Sequence, residues 1–422
     1  MPQLVFLLQI IGIFFLLIYA YRVILYPIAF IGRFRQRLHP QKEARQIHHF
    51  GVLICGRNEA AVIGDLIHSL RQQDYPREKL DIFVCADNCT DDTASLARQA
   101  GAICYERFNQ KEIGKGYALN FLLTQIRRDR LDRGIEAWLV FDADNLLEPG
   151  YLQAMNRHFD QGELILTSCR ASKNFSDNWL SAAYAYGFLH DAIFVNYAKS
   201  LIGLSAAVSG TGFLVADSVI QHFHGWPFHL LTEDLEFTSA ATLAGYKIGY
   251  CPDAIFYDEQ PTDFAQSWTQ RLRWTKGSLQ VFCRYWKPLL RRAWQHRELR
   301  SLEILVVTLP VNLLLAISWA LYVFMLFATL VNPSYTWQDV LPPLCLHLNN
   351  NTFPLMAMAL LTCVASWRLI PAHPVLKIAT CVTYPIYMLS YIPIMVHALF
   401  TQVTWKPVRH GVTKEFSCVP KV

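Results

Sequence analysis

The first thirty residues restrict the fold more than any other part of the chain. Leu4–Phe30 is an almost unbroken apolar run, charged only at Arg22, and a membrane-crossing helix needs about 20 apolar residues. A cleaved leader would show a basic start and a small-residue cleavage site, and this run has neither. Residues 1–31 therefore read as a transmembrane helix. Arg33, Arg35, Arg37, Lys42 and Arg45 follow it, and such a basic juxtamembrane segment (32–47) places that end in the cytosol. A C-terminal region, 301–404, is expected to add spans at Leu302–Val331, Phe353–Ile370 and Val375–Val403. Lys287, Arg291, Arg292, Arg297 and Arg300 precede the first of these on the cytosolic side. The loop Asn332–Thr352 has no Lys or Arg and reads as external, and Arg368 and Lys377 mark the next connection as internal. The basic tail, 405–422 (Lys406, Arg409, Lys414), is internal by charge but external by counting crossings. A last segment broken at Pro385 and Pro393 into a re-entrant or interfacial piece reconciles the two.

Composition agrees with a membrane protein: 53% of the 422 residues are hydrophobic and 17% charged, where soluble domains carry about a quarter charged. The net charge of +5 is too mild for a nucleic-acid footprint. Eleven cysteines include no CxxC pair and read as small buried hydrophobes rather than as a zinc or disulfide framework.

Residues 48–262 behave differently. Val52–Cys55, Ile82–Ala86, Ala102–Tyr105 and Trp138–Phe141 are short apolar, strand-like runs. Helical patterns over Ala60–Arg71, Asp92–Ala100 and Gly116–Ile126 separate them. This alternation predicts an α/β domain with a mainly parallel sheet, in which ligands bind beyond the carboxyl ends of the strands. Polar clusters stand there: Gly56–Glu59, Asp87–Asp92, Lys111–Asn120 ahead of a helix, and Asp142-Ala143-Asp144. Each alone is explained by helix capping or a turn, but their recurrence at successive strand ends is not. A dinucleotide fingerprint and a P-loop are both absent. The remaining possibility is a nucleotide site with carboxylates for base and ribose, a lysine for phosphate, and two aspartates for a hard cation such as Mg²⁺ or Mn²⁺.

Downstream, Thr232 reads as the N-cap of a helix through Ala244 that carries Glu233 and Asp234 in its first turn. Gln266–Trp286 forms an amphipathic helix. Trp268, Leu272, Thr275, Leu279, Phe282 and Trp286 lie on one face, and Gln270, Arg273, Trp274 and Gly277 on the other. With basic flanks and a span to follow, residues 263–300 read as interfacial, with the aromatic face in the lipid boundary. Ser209–Phe213 is expected to follow a strand at Ala206–Val208, and Tyr257–Pro261 to end another strand and supply pocket residues. His222, His224 and His229 read as surface or packing residues.

Taken in order, Glu59, the Asp87 cluster, Lys115, Asp142-Ala143-Asp144, Thr232-Glu233-Asp234 and Gln270-Arg271-Leu272-Arg273-Trp274 resemble membrane-integrated family 2 glycosyltransferases, the relatives of cellulose, chitin and hyaluronan synthases. The resemblance implies a GT-A-type nucleotide-sugar domain set between N- and C-terminal transmembrane helices in the plasma membrane, with the catalytic domain in the cytosol. It implies that Asp87 contacts uracil, Glu59 holds the nucleoside and Lys115 approaches the diphosphate. Asp144, with Asp142, would ligate the divalent metal. Asp234 would be the general base, and Glu233, Gln270, Arg273 and Trp274 would line the acceptor and phosphate side. The partners implied are a UDP-sugar donor, a β-linked glycan or lipid-linked acceptor, and the bilayer. Three readings stay open beside polymer synthesis with export: a non-processive glycolipid synthase, a polyprenyl-phosphate sugar synthase, and a transporter or scaffold with a nucleotide-binding-like domain. Ala86-Asp87-Asn88-Cys89 and Gly210-Thr211-Gly212 depart from the commoner synthase motifs, so the polymer is not specified.

Overall fold

The computed structural model describes residues 2–38, 43–332 and 336–405. Lys42, Lys406, Arg409 and Lys414 lie outside the described residues. The central sheet has strands β1 (Phe50–Gly56), β2 (Leu80–Asp87), β3 (Ile103–Arg107), β4 (Ala137–Asp142), β5 (Leu146–Leu147), β6 (Ile165–Ser172), β7 (Phe213–Ala216) and β8 (Gly249–Asp258). Their order across the sheet is β3-β2-β1-β4-β7-β6-β8-β5. β1, β2, β3 and β4 are parallel, as the alternating pattern predicts. β7 runs antiparallel to both β4 and β6, and β5 antiparallel to β8, so the far half is mixed.

Period-two alternation assigns the faces. Val52 and Ile54 of β1 join one buried layer with Leu66 and Met155. Leu53 joins the other, with Phe83, Leu119 and Leu122. The second layer continues into the membrane-proximal helices through Tyr184, Tyr186, Tyr384 and Cys363, so one core serves the sheet and the anchor together. All ten cysteines among the described residues are free, and Cys85, Cys169 and Cys251 are buried.

The expected strand at Ala206–Val208 is absent. That stretch runs as irregular backbone, and the glycine turn precedes β7 instead of following a strand. Too few residues separate it from the turn for a paired ladder, and Ala206 N–H reaches the carbonyl of Ile248 instead.

Among the described residues, three helices are long and apolar enough to cross a membrane: Gln3–Leu38, Val311–Val331 and Pro374–Phe400. Three expectations change here. The span expected over Leu302–Val331 is divided, because Pro310 lacks an N–H and disfavours helix at Leu309. Leu299–Thr308 and Val311–Val331 are separate helices. The loop expected at Asn332–Thr352 is helical from Trp337, and the helix continues to Ala365 instead of beginning at Phe353. Its middle carries a polar run (His347, Asn349, Asn350, Asn351), and it returns along Val311–Val331. Tyr322 donates to the carbonyl of Pro343, and Val340 packs with Leu8 and Met325 at one end. Ala359 and Cys363 reach the catalytic core at the other.

The last apolar segment is interrupted, as its prolines predict, but at Ser390, between Pro374–Leu389 and Tyr391–Phe400. Both of its ends touch the catalytic domain. Tyr186 donates to the carbonyl of Lys377 at 2.7 Å, and Trp405 lines the main cavity. Arg271, fully buried, holds the break. It donates to the carbonyl of Tyr387 at 3.2 Å and to Ser390 Oγ at 2.5 Å. Its guanidinium lies 4.7 and 5.1 Å from the ring centres of Tyr387 and Tyr391. Charge-assisted hydrogen bonds contribute about 1.5–3 kcal/mol each. Arg271→Leu should therefore lower the thermal midpoint of the detergent-solubilised protein by several degrees, with Arg271→Lys recovering part of the loss.

Candidate active site

All ten residues given a site role from the sequence line one cavity of about 410 Å³ at the carboxyl ends of β1, β2 and β4, and of the segment Tyr257–Pro261 only Asp258 and Glu259 join them. Glu59 and Asp87 come from the first two strand ends, and Asp142 and Asp144 from the turn after β4. Lys115 opens the helix Lys115–Arg128, behind Gly114. Glu233 and Asp234 open the helix Glu233–Leu243. Gln270, Arg273 and Trp274 come from the long helix Phe264–His296.

The aspartate turn is fixed from beneath. Asp142 N–H donates to Thr211 Oγ1 at 2.9 Å, and Asn145 receives Thr211 Oγ1–H. Asn145 Nδ2 donates to Asp258 Oδ1 at 2.9 Å, and Asp144 Oδ2 accepts from Glu259 N–H at 3.2 Å. Asp144 is 2% exposed, whereas Asp142 is half-buried and faces Lys115. Lys115 Nζ pairs with Asp142 and donates to the carbonyl of Gly210 at 2.8 Å. Burial would lower the Lys115 ammonium, but the charges of Asp142 and Glu233 outweigh it and hold it above its ordinary value.

Gly210 connects the two halves of the site. Its φ of +79° belongs to the region glycine favours, and a Cβ placed there would lie 3.5 Å from Asp234 Oδ2. Asp234 and the Lys115–Asp142 pair thus approach the same loop from opposite sides. Asp234 Oδ1 accepts from Leu235 N–H at 2.8 Å.

The helix that carries Asp234 begins at Thr232, as expected, but the hydroxyl makes no capping bond. Thr232 packs instead on Gly277, where a Cβ would lie 2.6 Å from its Oγ1 and Cγ2. A missing side chain at Gly277 lets the long helix touch the start of the catalytic helix. Arg273 adds a second tie, donating to the carbonyl of Leu231 at 2.9 Å.

Burial pushes the Glu233 carboxyl up to about 7, and the adjacent Asp234 charge adds to the rise against Lys115 and Arg273. Asp234 is also raised, chiefly by burial. An acid whose folded value lies above its free value contributes stability below the free value and loses it as pH rises through the folded one. Glu233→Gln should therefore raise the thermal midpoint of the ligand-free protein above pH 7. The gain should shrink as pH falls through the 4.5–7 window and vanish near pH 4. A constant difference across that range would mean that the carboxyl is not titrating there.

Other assignments gain surroundings. Asp87 Oδ1 is engaged by Asn88 Nδ2 at 3.0 Å and by Arg107, absent from the sequence reading, at 2.7 Å. Trp274 forms an aromatic wall with Tyr184 and Phe188, each edge-on at 5.9 and 6.2 Å. Gln270 Oε1 is buried without a partner among the described residues. The face expected to meet lipid is partly covered, because Trp268, Leu272 and Leu279 pack on Ile394 and Ala398 of Tyr391–Phe400. His229 stacks on Tyr117 at 4.0 Å, a packing role.

Sequence reasoning missed Arg170, which donates to Asp258 Oδ2 at 2.9 Å and to the carbonyl of Ser209 at 3.1 Å and lies 3.8 Å above the Phe188 ring. A lone arginine inside the apolar strand β6 was the available signal. Trp405 was read only as the first residue of the basic tail, and its place on the cavity wall depends on the fold of the last helices.

A mixed sheet with carboxylates and a lysine round a cavity at its strand ends, built onto apolar helices, defines a GT-A-type nucleotide-sugar domain. Residues 48–277 match the family described as "Glycosyltransferase like family 2", and the chain belongs to family 2 of the glycosyltransferases. It is 25% identical over 272 residues to the beta-monoglucosyldiacylglycerol synthase of Synechocystis, covering 61% of this chain and 54% of that protein. It is 24% identical over 300 residues to a poly-beta-1,6-N-acetyl-D-glucosamine synthase of Staphylococcus epidermidis, covering 71% and 69%. The chain thus spans little more than half the length of the first of these relatives. The solved mannosyltransferase PcManGT of Pyrobaculum calidifontis, in complex with GDP-Man and Mn²⁺, shares the fold with a TM-score of 0.57 at 18% identity, over 93% of this chain and 99% of that one.

Proposed function

We propose that this protein is a membrane-bound, inverting glycosyltransferase. It would transfer a sugar from a UDP-sugar, on the cytosolic side, to a hydroxyl of a lipid-linked or β-glycan acceptor presented at the bilayer. The observation that carries this reading is the convergence of Asp87, Lys115, Asp142, Asp144 and Asp234 on one cavity whose wall is the helix that leads to the membrane.

Asp142 and Asp144 offer hard oxygen donors on one turn. Among the described residues no cluster of three or more His, Cys, Asp or Glu is arranged to hold a metal. This pair suits a cation that takes one or two carboxylates and completes its shell with diphosphate and water. Asp144, assisted by Asp142, would hold Mg²⁺ or Mn²⁺, which when bound neutralises the charge of a leaving diphosphate. Lys115 adds a positive charge on the same side.

Asp234 takes the proton of the acceptor hydroxyl as its oxygen attacks the anomeric carbon, and the bond from that carbon to the phosphate oxygen breaks with release of UDP. Its raised proton affinity suits a base that must accept a proton near neutrality. Trp274, with Phe188 and Tyr184 behind it, offers a flat apolar face for a sugar ring.

The test is incubation of the purified full chain, in lipid and Mn²⁺, with labelled UDP- and GDP-sugars, with and without diacylglycerol. UDP-sugar turnover with label in organic-soluble product supports a glycolipid acceptor, and insoluble high-mass label supports polymer synthesis. Turnover of no nucleotide sugar, together with movement of a solute, would overturn the enzyme reading.

A further inference from the structure

The far end of the long helix carries a second cavity that the transfer reaction does not use. It has a volume of about 500 Å³, and Arg284, Lys287, Arg291, Arg292 and His296 line it. Between Cys283 and Arg300 six basic residues accompany one acid, Glu298. That acid is already engaged: it accepts from Arg292 Nε at 2.6 Å and Ser301 Oγ at 2.8 Å, and pairs with Arg300 at 3.0 Å. Arg292 also donates to the carbonyl of Leu243 at 2.8 Å, and Arg284 pairs with Glu236 at 3.0 Å, so the walls of the groove are fixed to the catalytic domain. Lys287 and Arg291 stand between them, exposed, and neither forms an ion pair among the described residues. A groove with two pinned and two unneutralised cations is shaped for an anion.

The neighbouring face of the same helix identifies which anion. Trp286, Leu290 and Trp294 recur every four residues beside the basic row and are 36%, 45% and 86% exposed. Indoles and leucines in this pattern next to cations match the boundary between headgroups and acyl chains. The helix is followed within a few residues by Leu299–Thr308 and the apolar span Val311–Val331. A free phosphate would use the cations and leave the apolar stripe in water, whereas a phospholipid occupies both.

We propose that this groove binds the phosphate headgroup of an anionic membrane phospholipid through Lys287 and Arg291, with Trp286, Leu290 and Trp294 set into the acyl boundary. The site is independent of the transfer reaction and can be tested without it.

The full chain in neutral detergent is titrated with dioleoylphosphatidylglycerol, dioleoylphosphatidylcholine and inorganic phosphate, and retained lipid is read by native mass spectrometry. The anionic lipid should bind at least tenfold more tightly than the zwitterionic one. Each Lys or Arg near an anionic headgroup contributes about 1 kcal/mol, so the double variant K287Q/R291Q should weaken phosphatidylglycerol roughly thirtyfold and leave phosphatidylcholine unchanged. Trp294→Ala should weaken both lipids, and Arg77→Gln, on a distant exposed turn, should weaken neither. Equal binding of the two lipids, selectivity that survives K287Q/R291Q, or an equal loss in Arg77→Gln would overturn the proposal. Displacement of phosphatidylglycerol by an equal concentration of inorganic phosphate would show an anion site with no lipid component, and would overturn it too.

Discussion

Asp234→Asn should abolish sugar transfer while the protein continues to bind UDP-sugar. The substitution keeps the volume of the side chain and an oxygen for the Leu235 N–H bond, so the start of the helix should hold its shape. It removes the carboxylate proposed as the base, whose Oδ2 lies 3.5 Å from where a Cβ at Gly210 would stand. General-base catalysis contributes about 10²–10⁴-fold, so a loss of about 10³-fold in kcat is expected, with the donor Kd within a factor of about two to three. Calorimetric titration with UDP in Mn²⁺ and single-turnover transfer on the same preparation separate the two quantities. Turnover near the parent rate would remove Asp234 from the mechanism.

The second large effect is expected at Asp144, on the other side of the cavity, and differs in kind. Asp144→Asn preserves the acceptor for Glu259 N–H but exchanges a buried carboxylate for a neutral amide. Loss of outer partners alone costs 10–100-fold in metal affinity, and loss of a direct ligand should cost at least the upper end. UDP should bind about 10²-fold more weakly in Mn²⁺ yet unchanged in EDTA, and raising Mn²⁺ should recover part of the activity. Asp234→Asn should show neither response, so the pair of variants separates donor binding from chemistry. Unchanged Mn²⁺-dependent UDP binding in Asp144→Asn would assign the cation elsewhere.

The parallel half of the sheet was legible because β1, β2 and β4 are buried on both faces and read as continuous apolar runs. The polar residues that end them stand out for the same reason. The mixed half was not, since the four residues of β7 give too short a pattern to separate from Ala206–Val208. Glu59, Lys115, Asp144 and Asp234 were visible as residue types at strand and helix ends. Arg170 and the bonds that join Thr211 and Asp258 to the aspartate turn were hidden, because these residues come from segments distant in sequence and meet only through the sheet. The helix Phe264–His296 was legible from its period, but periodicity shows only that a face is apolar. It does not say whether lipid or Tyr391–Phe400 covers it.

The break at Ser390 also bears on which compartments the termini of the described chain face. Pro374–Leu389 starts at Tyr186 of the catalytic domain, and the chain beyond Tyr391–Phe400 comes back to the same domain at Trp405. Pro374–Phe400 is long and apolar enough to cross, but were it to dip and resurface on its own side it would add no passage through the bilayer. If Val311–Val331 and Trp337–Ala365 make an outward and return pair, residues 3 and 402 are expected on opposite sides of the bilayer. Cysteines placed at these two positions should react with impermeant reagents from opposite faces of sealed vesicles, and labelling of both from one face would overturn that count.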